Sequence, residues 1–424
     1  MTGTDAVVPD VVDAGPDIDQ PPGVYPANHQ PIPQIDYNGG PIFQNIRIVT
    51  ITFVGDLHRD GLRGLDHYMT MSDWWQQTAE GYCVREAGPC VGPGVVTAAD
   101  ASAWLPDGST EDAGDGYLDV ELPYDFPSNT VQDSQIGPWL DKHIGNGDFP
   151  KPDAQTVYVI FFPSTTTVVD QGPLCLGEVA YHSVYASKLP GGSDTAYAVI
   201  PYCQYNQGDT VNYTQVQVAA SHEIAETATD PYPGVRTAFY LTSNDAWEGA
   251  QSLGGGENGD MCEGLSNANW PDTPYTYQRI WSNQAAAQSQ QPCQPSASPN
   301  PYFALALRAP PVTVNGHRSA GYIVARRGQS TVGIADAFSQ SALAHDFLLY
   351  AGKNKGYRTT TPSDLDVPDD GITIAFSRQQ AHNGNGVFVT FNVPSSAAVG
   401  DVHVVLRAVY ESDYNDWPVI VHVE

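Results

Sequence analysis

The run TVYVIFFP, residues 156 to 163, constrains this chain more than any other stretch. β-Branched and aromatic residues dominate it, polar residues bound it and Pro163 ends it, so it reads as the central strand of a sheet. Three further segments read as strands: IRIVTITFVGD at 46–56, GEVAYHSVY at 177–185 and TAYAVIPYC at 195–203. The 40 glycines and 34 prolines likewise favour strands joined by many turns over a helical bundle.

Helical signals are fewer. In 68–84, Ser72 or Asp73 caps a helix that presents Trp74, Trp75 and Thr78 to the sheet. The segment 131–144 is helix-like but is interrupted at Gly137-Pro138, a proline tolerable only in a first turn. In 215–230, Val216, Ala220, Ile224 and Ala228 recur at steps of four, and Asp230-Pro231 and Pro233-Gly234 stop the helix. Residues 1–40, rich in proline and aspartate, read as a disordered acidic linker before a central domain at 41–300. SASPNP reads as a hinge. From 311 to 424, runs such as ITIAFSR, GVFVTFNVP and DVHVVLRAVYE recur between glycine and asparagine turns. They give roughly seven strands, the pattern of an immunoglobulin-like β-sandwich.

The 48 acidic against 18 basic residues give a formal charge of −30, a field that repels nucleic acid and suits cations. Six cysteines form no CxxC pair, which gives a tetrahedral thiolate zinc site no support and points to disulfides in an oxidising compartment. Nearest-neighbour pairing joins Cys83 to Cys90, Cys175 to Cys203 and Cys262 to Cys293, one of fifteen connectivities. No segment is long and apolar enough to span a membrane. The N-terminus lacks a signal peptide and reads like the spacer behind a cleaved signal or lipid anchor, with the export leader expected upstream.

The chemistry concentrates in AASHEIAETATDP, residues 219 to 231. On a helix, His222 and Glu226 project from one face a turn apart, and both can ligate a divalent cation. Glu223 lies about 100° round the axis, placed to take a proton from water beside the ion rather than to bind the ion. Asp230 is one candidate third ligand, provided the chain turns back; on a straight helix it would lie about 12 Å from His222. The acidic loop GGGENGDMCEG is the other source, through Asp260 first, then Glu257, with Glu263 nearby and Cys262 to fasten it. His182 supplies an imidazole as ligand, proton donor or transition-state stabiliser. The plainer reading of the same residues is a solvated helix capped by Ser221, with a surface turn and a packing histidine. Nitrogen and oxygen donors suit Zn2+; a higher oxygen count shifts the choice toward Ca2+. No nucleophile elbow, Walker loop or dinucleotide fingerprint is present. Aromatics including Tyr124, Trp139, Trp247, Trp270, Tyr275 and Trp281 would suit a sugar- or peptide-binding cleft as well as a core.

Taken in order, VYVIFFP, AYHSVY, AYAVIPYC, SHEIAETATDP, GENGDMCEG and YTYQRIWSNQAAAQSQQPC resemble the exordium, or phosphate-induced protein 1, family over residues 46–295. The resemblance implies a secreted or cell-wall protein with a retained site at His222, Glu223, Glu226, Asp230 and Asp260, but names no reaction. It also makes the central domain metallopeptidase-like, a mixed α/β unit in which the motif helix packs on a twisted sheet, within an α+β chain. The leading expectation is an extracellular metal-dependent hydrolase, a zinc-type peptidase acting on polypeptide. The alternative is a non-catalytic secreted protein that binds cell wall or carbohydrate and carries a structural ion.

Overall fold

All seven residues of Thr156–Phe162 are buried in the computed structural model, and a mixed sheet is built around them. The structure describes residues 19–79, 81–84, 88–92, 117–176, 179–203, 212–242, 246–247, 255–309, 312–314, 317–319, 321–354, 361 and 363–424. These fall into two units, one of 33–242 with 251–297, the other of 1–32, 243–250 and 298–424.

In the first unit the strands are β1 (Arg47–Phe53), β2 (Tyr117–Leu122), β3 (Thr156–Phe162), β4 (Tyr181–Ala186) and β5 (Asp194–Pro201), in the order β2-β1-β3-β5-β4. All neighbours are parallel except β4, which pairs antiparallel with β5 and forms an edge. The helices are α1 (Arg59–Met69), α2 (Asp73–Thr78), α3 (Asp133–Asn146), α4 (Tyr213–Thr229) and the single turn α5 (Asp260–Glu263). One sheet face packs Val49, Ile51, Tyr158 and Ile160 against Trp139 and Leu140 of α3. Strand alternation then turns His182, opposite Ala198 in β5, to the other face, where α4 lies.

Ser72 caps α2 by accepting the Trp75 N–H, and Trp74, Trp75 and Thr78 are buried. Pro138 sits inside α3, beyond its first turn, instead of interrupting it. The helix tolerates the lost hydrogen bond because a Gln132–Gln135 capping box and a buried apolar face hold it. Residues 19–40 are packed rather than a free linker, although 1–18 lie outside the described residues. Ile35 exchanges hydrogen bonds with the Asn283 amide, and His29 stacks on Phe338 at 3.6 Å. The disulfides join Cys83–Cys90, Cys175–Cys203 and Cys262–Cys293.

The second unit is a β-sandwich of immunoglobulin-like character. One sheet orders Phe303–Leu307, Ser330–Ser339, Gly386–Asn392 and Thr373–Phe376; the other orders Tyr322–Ala325, Asp413–Val423, Gly400–Tyr410, Phe347–Gly352 and Gln380–Ala381. Phe303 meets Phe347 and Tyr410 between the sheets, and Phe338 meets Trp417. This unit takes in Phe303–Leu307, upstream of the expected start at 311, because FALAL pairs with Ser330–Ser339. The SASPNP stretch is tied to it through Ser298 and Asn300, both bonded to Asp413.

Candidate metal centre

Asn212 caps α4 by accepting the Gln215 N–H, and the helix runs to Asp230, where Pro231 prevents its continuation. Every residue from Val216 to Thr229 is buried, because the helix lies between the sheet and the Tyr275–Gln278 strand. The reading of a solvated helix capped at Ser221 is therefore corrected. Ser221 is mid-helix, its hydroxyl donating to Val218 O and accepting the Gln278 N–H.

That burial brings ionisable groups together where water cannot solvate them. His222 Nε2 lies 3.0 Å from Glu226 Oε1 and 3.7 Å from Asp260 Oδ1. The Asp260 N–H donates to Glu226 Oε1 at 3.0 Å, and the Glu257 N–H donates to Asp260 Oδ2 at 3.1 Å. The loop reaches this close because two of its residues lack Cβ. A Cβ at Gly259 would stand 2.7 Å from Glu226 Oε1, and one at Gly255 would overlap the Asp260 carboxylate. Cys262, bonded to Cys293, fastens the turn that carries Asp260.

His182 enters from β4. Its Nδ1 lies 3.3 Å from Glu223 Oε2 and 3.4 Å from Glu226 Oε2, and its Nε2 lies 3.1 Å from the Asp230 carbonyl and 3.5 Å from Glu257 Oε1. Asp230 does turn back, but its Oδ1 accepts the Ala238 N–H and it does not join His222. Among the described residues, the donors that could hold one ion are thus His222, Glu226 and Asp260, or His182, Glu223 and Glu226. Asp230 and Glu257 border the cluster outside both groups.

Burial disfavours charge on every member, and neighbours decide who keeps it. It opposes protonated His182 and His222, but the surrounding carboxylates outweigh it and raise both well above the usual histidine value. Glu226, beside both imidazoles, is held far below the ordinary carboxylate range against the pull of burial. Glu223 is raised by burial, Glu257 and Asp260 strongly so by burial and adjacent carboxylates, and Asp230 to about 6, chiefly by burial. Such a cluster has more carboxylate than cation, the electrostatic condition a divalent ion relieves.

The cluster forms part of the wall of a cleft of about 540 Å³, which also carries Asp133, Asp170 and Glu263 and, among the described residues, no lysine or arginine. The aromatics considered for a binding cleft do not line it; Trp139, Trp247 and Trp281 are buried in cores.

One participant carries no sequence signal. Gln278 Nε2 donates to Gly259 O at 2.8 Å, which leaves its Oε1 to accept the His222 Nδ1–H at 3.0 Å. The imidazole is thereby oriented with Nε2 toward Glu226 and Asp260, the nitrogen that would ligate a cation once its proton is displaced. Gln278→Leu is expected to weaken divalent-ion affinity roughly 10–100-fold, whereas Gln278→Glu, which keeps the acceptor, retains most of it. Competition with a chromophoric chelator measures both, and equal affinity for Gln278→Leu would remove this role.

No protein-family model and no curated protein matches the chain. Among solved structures it is similar to domains 4 and 5 of the S-layer protein SbsC, at 13% identity and a TM-score of 0.18, over 29% of this chain and 53% of that one. It is also similar to the titin M3 domain, at 10% identity and 0.17, over 29% and 99%. The twitchin kinase region from C. elegans matches at 16% identity and 0.17, over 28% and 16%. Likeness at these TM-scores shows neither a shared site nor a shared activity.

Proposed function

We propose that the protein works outside the cell with a divalent ion held by His222, Glu226 and Asp260 in the wall of the acidic cleft, and that this ion serves hydrolysis, most fittingly of a peptide bond. The observation that carries the reading is His222 Nε2, oriented by Gln278 and aimed at two carboxylate oxygens. One nitrogen and two oxygens fit zinc, and the neighbouring carboxylates keep calcium as the alternative. When bound, such an ion polarises a carbonyl and acidifies water. Glu223 accepts the proton from water at a carboxyl whose affinity for it burial has raised, and His182 holds that carboxyl in place. The edge of β4, unpaired among the described residues and lining the cleft through Tyr181–Ser183, would offer main-chain hydrogen bonds to an extended peptide. Three disulfides support an oxidising destination, and the acidic walls argue against nucleic acid. Among the described residues no helix is long and apolar enough to cross a membrane. The resemblance of residues 46–295 to the exordium family belongs to this proposal, supported by two of its motif pieces meeting in one cluster.

A second reading, a non-catalytic cell-wall or carbohydrate-binding protein with a structural ion, is favoured by the burial of the donors. Glu223 is only 5% exposed and engaged with His182, so little of it reaches the cleft. Metal analysis of the purified chain, with a cleavage screen of peptides and cell-wall polysaccharides after loading with Zn2+ or Ca2+, separates the readings. Metal-dependent cleavage supports the hydrolase, a retained ion without turnover supports the structural role, and a metal-free, metal-indifferent protein overturns both.

Loading must also displace protons. Of the three ligands, His222 and Asp260 have raised pKa values, and ligands bind in their deprotonated forms, so affinity falls as pH falls. Calorimetric titration in two buffers of different ionisation enthalpy is expected to show net proton release, and a buffer-independent heat would contradict it.

A further inference from the structure

We propose that the cluster is built for two divalent cations bridged by Glu226, an inference that rests on the metal reading above. Two three-donor groups are present, His222 with Glu226 and Asp260, and His182 with Glu223 and Glu226, the ligand atoms of each lying within 4.8 Å of one another. The two groups use opposite oxygens of the shared carboxylate. Oε1 faces His222 Nε2 at 3.0 Å, and Oε2 faces His182 Nδ1 at 3.4 Å. A carboxylate that offers one oxygen to each of two donor sets is the bridging arrangement of two-metal sites, whose ions stand about 3.5–4 Å apart.

The imidazoles are prepared alike. His222 donates Nδ1–H to Gln278 Oε1, and His182 donates Nε2–H to the Asp230 carbonyl, so each ring turns its other nitrogen toward carboxylates. The charge points the same way. With both imidazoles neutral and all five carboxylates, Glu223, Glu226, Asp230, Glu257 and Asp260, ionised as ligation would require, one divalent ion leaves three negative charges uncompensated and two ions leave one. The surplus lies on the His182 side. Asp230, 1% exposed, keeps Oδ2 without a hydrogen bond and adjoins Glu257, whose Oε1 also has none and lies 3.5 Å from His182 Nε2. Adjoining carboxyls of this kind need a shared proton or a nearby cation. Mixed imidazole and carboxylate donors suit Zn2+ or Mn2+ in both positions better than Ca2+. With the second position filled, Glu223 becomes a ligand; with the first alone, it stays free to accept a proton.

The test uses the full chain, stripped by chelator and reloaded with Mn2+ or Zn2+. Elemental analysis at saturation is expected to give two ions per wild-type chain and one in His182→Gln, with affinity at the remaining position within about threefold. In the wild type, electron paramagnetic resonance of the Mn2+ form is expected to show a magnetically coupled pair, a reading that holds even where the variant fails to fold. One ion per wild-type chain, or two without coupling, overturns the bridged pair and leaves the single-ion reading intact. No bound ion overturns both.

Discussion

Glu226→Gln is expected to strip the protein of its divalent metal, with affinity falling by more than about a hundredfold, beyond the range usual for partners outside the coordination shell. Glu226 is the one side chain common to both donor groups, facing His222 with one oxygen and His182 with the other. The fold should survive. The amide has the same shape, its oxygen can keep the Asp260 N–H, and its NH2 can donate to His182 Nδ1. A ligand present at 100 times its dissociation constant stabilises the folded state by about 2.7 kcal/mol. Chelation is therefore expected to lower the wild-type melting temperature and to leave that of Glu226→Gln where it was. Equal metal content in the two proteins, or equal sensitivity to chelator, would place the ion elsewhere.

Much of this arrangement is legible in the chain, for identifiable reasons. The strand at 156–162 follows from an unbroken run of β-branched and aromatic residues, and the pairing of His222 with Glu226 follows from helical periodicity alone. What periodicity hides is burial on all sides. The Val216, Ala220, Ile224 and Ala228 stripe of α4 announces one packed face, but the other faces are alanine, threonine and polar residues, which do not announce that the helix lies between a sheet and a second strand. The choice among Asp230, Glu257 and Asp260 depended on where the chain turns after Thr229 and on two glycines with no room for a Cβ, both tertiary facts. Gln278 was invisible because its role consists of hydrogen bonds to residues 19 and 56 positions away. Pro138 and residues 19–40 show the converse: local signals for a break and for a linker were overridden by packing and capping.

Glu223→Gln separates the catalytic reading from the structural one. The substitution is expected to keep the ion at His222, Glu226 and Asp260, none of which depends on Glu223, while lowering hydrolysis about 10²–10⁴-fold, the usual contribution of a general base. The glutamine amide oxygen can still accept the His182 Nδ1–H, so the contact now made at 3.3 Å persists and a loss of turnover cannot be assigned to a displaced His182. The effect should fall on kcat with little change in KM, because the lost group acts on the proton in transit and not on the bound chain. Equal cleavage by both proteins would remove Glu223 from the base role. Absence of cleavage by the metal-loaded wild type would turn the same cluster into a structural centre: two imidazoles and three carboxylates, all buried, with Glu257 and Asp260 half-buried beside them, would then exist to hold cations that tie α4, β4 and the acidic loop to one another.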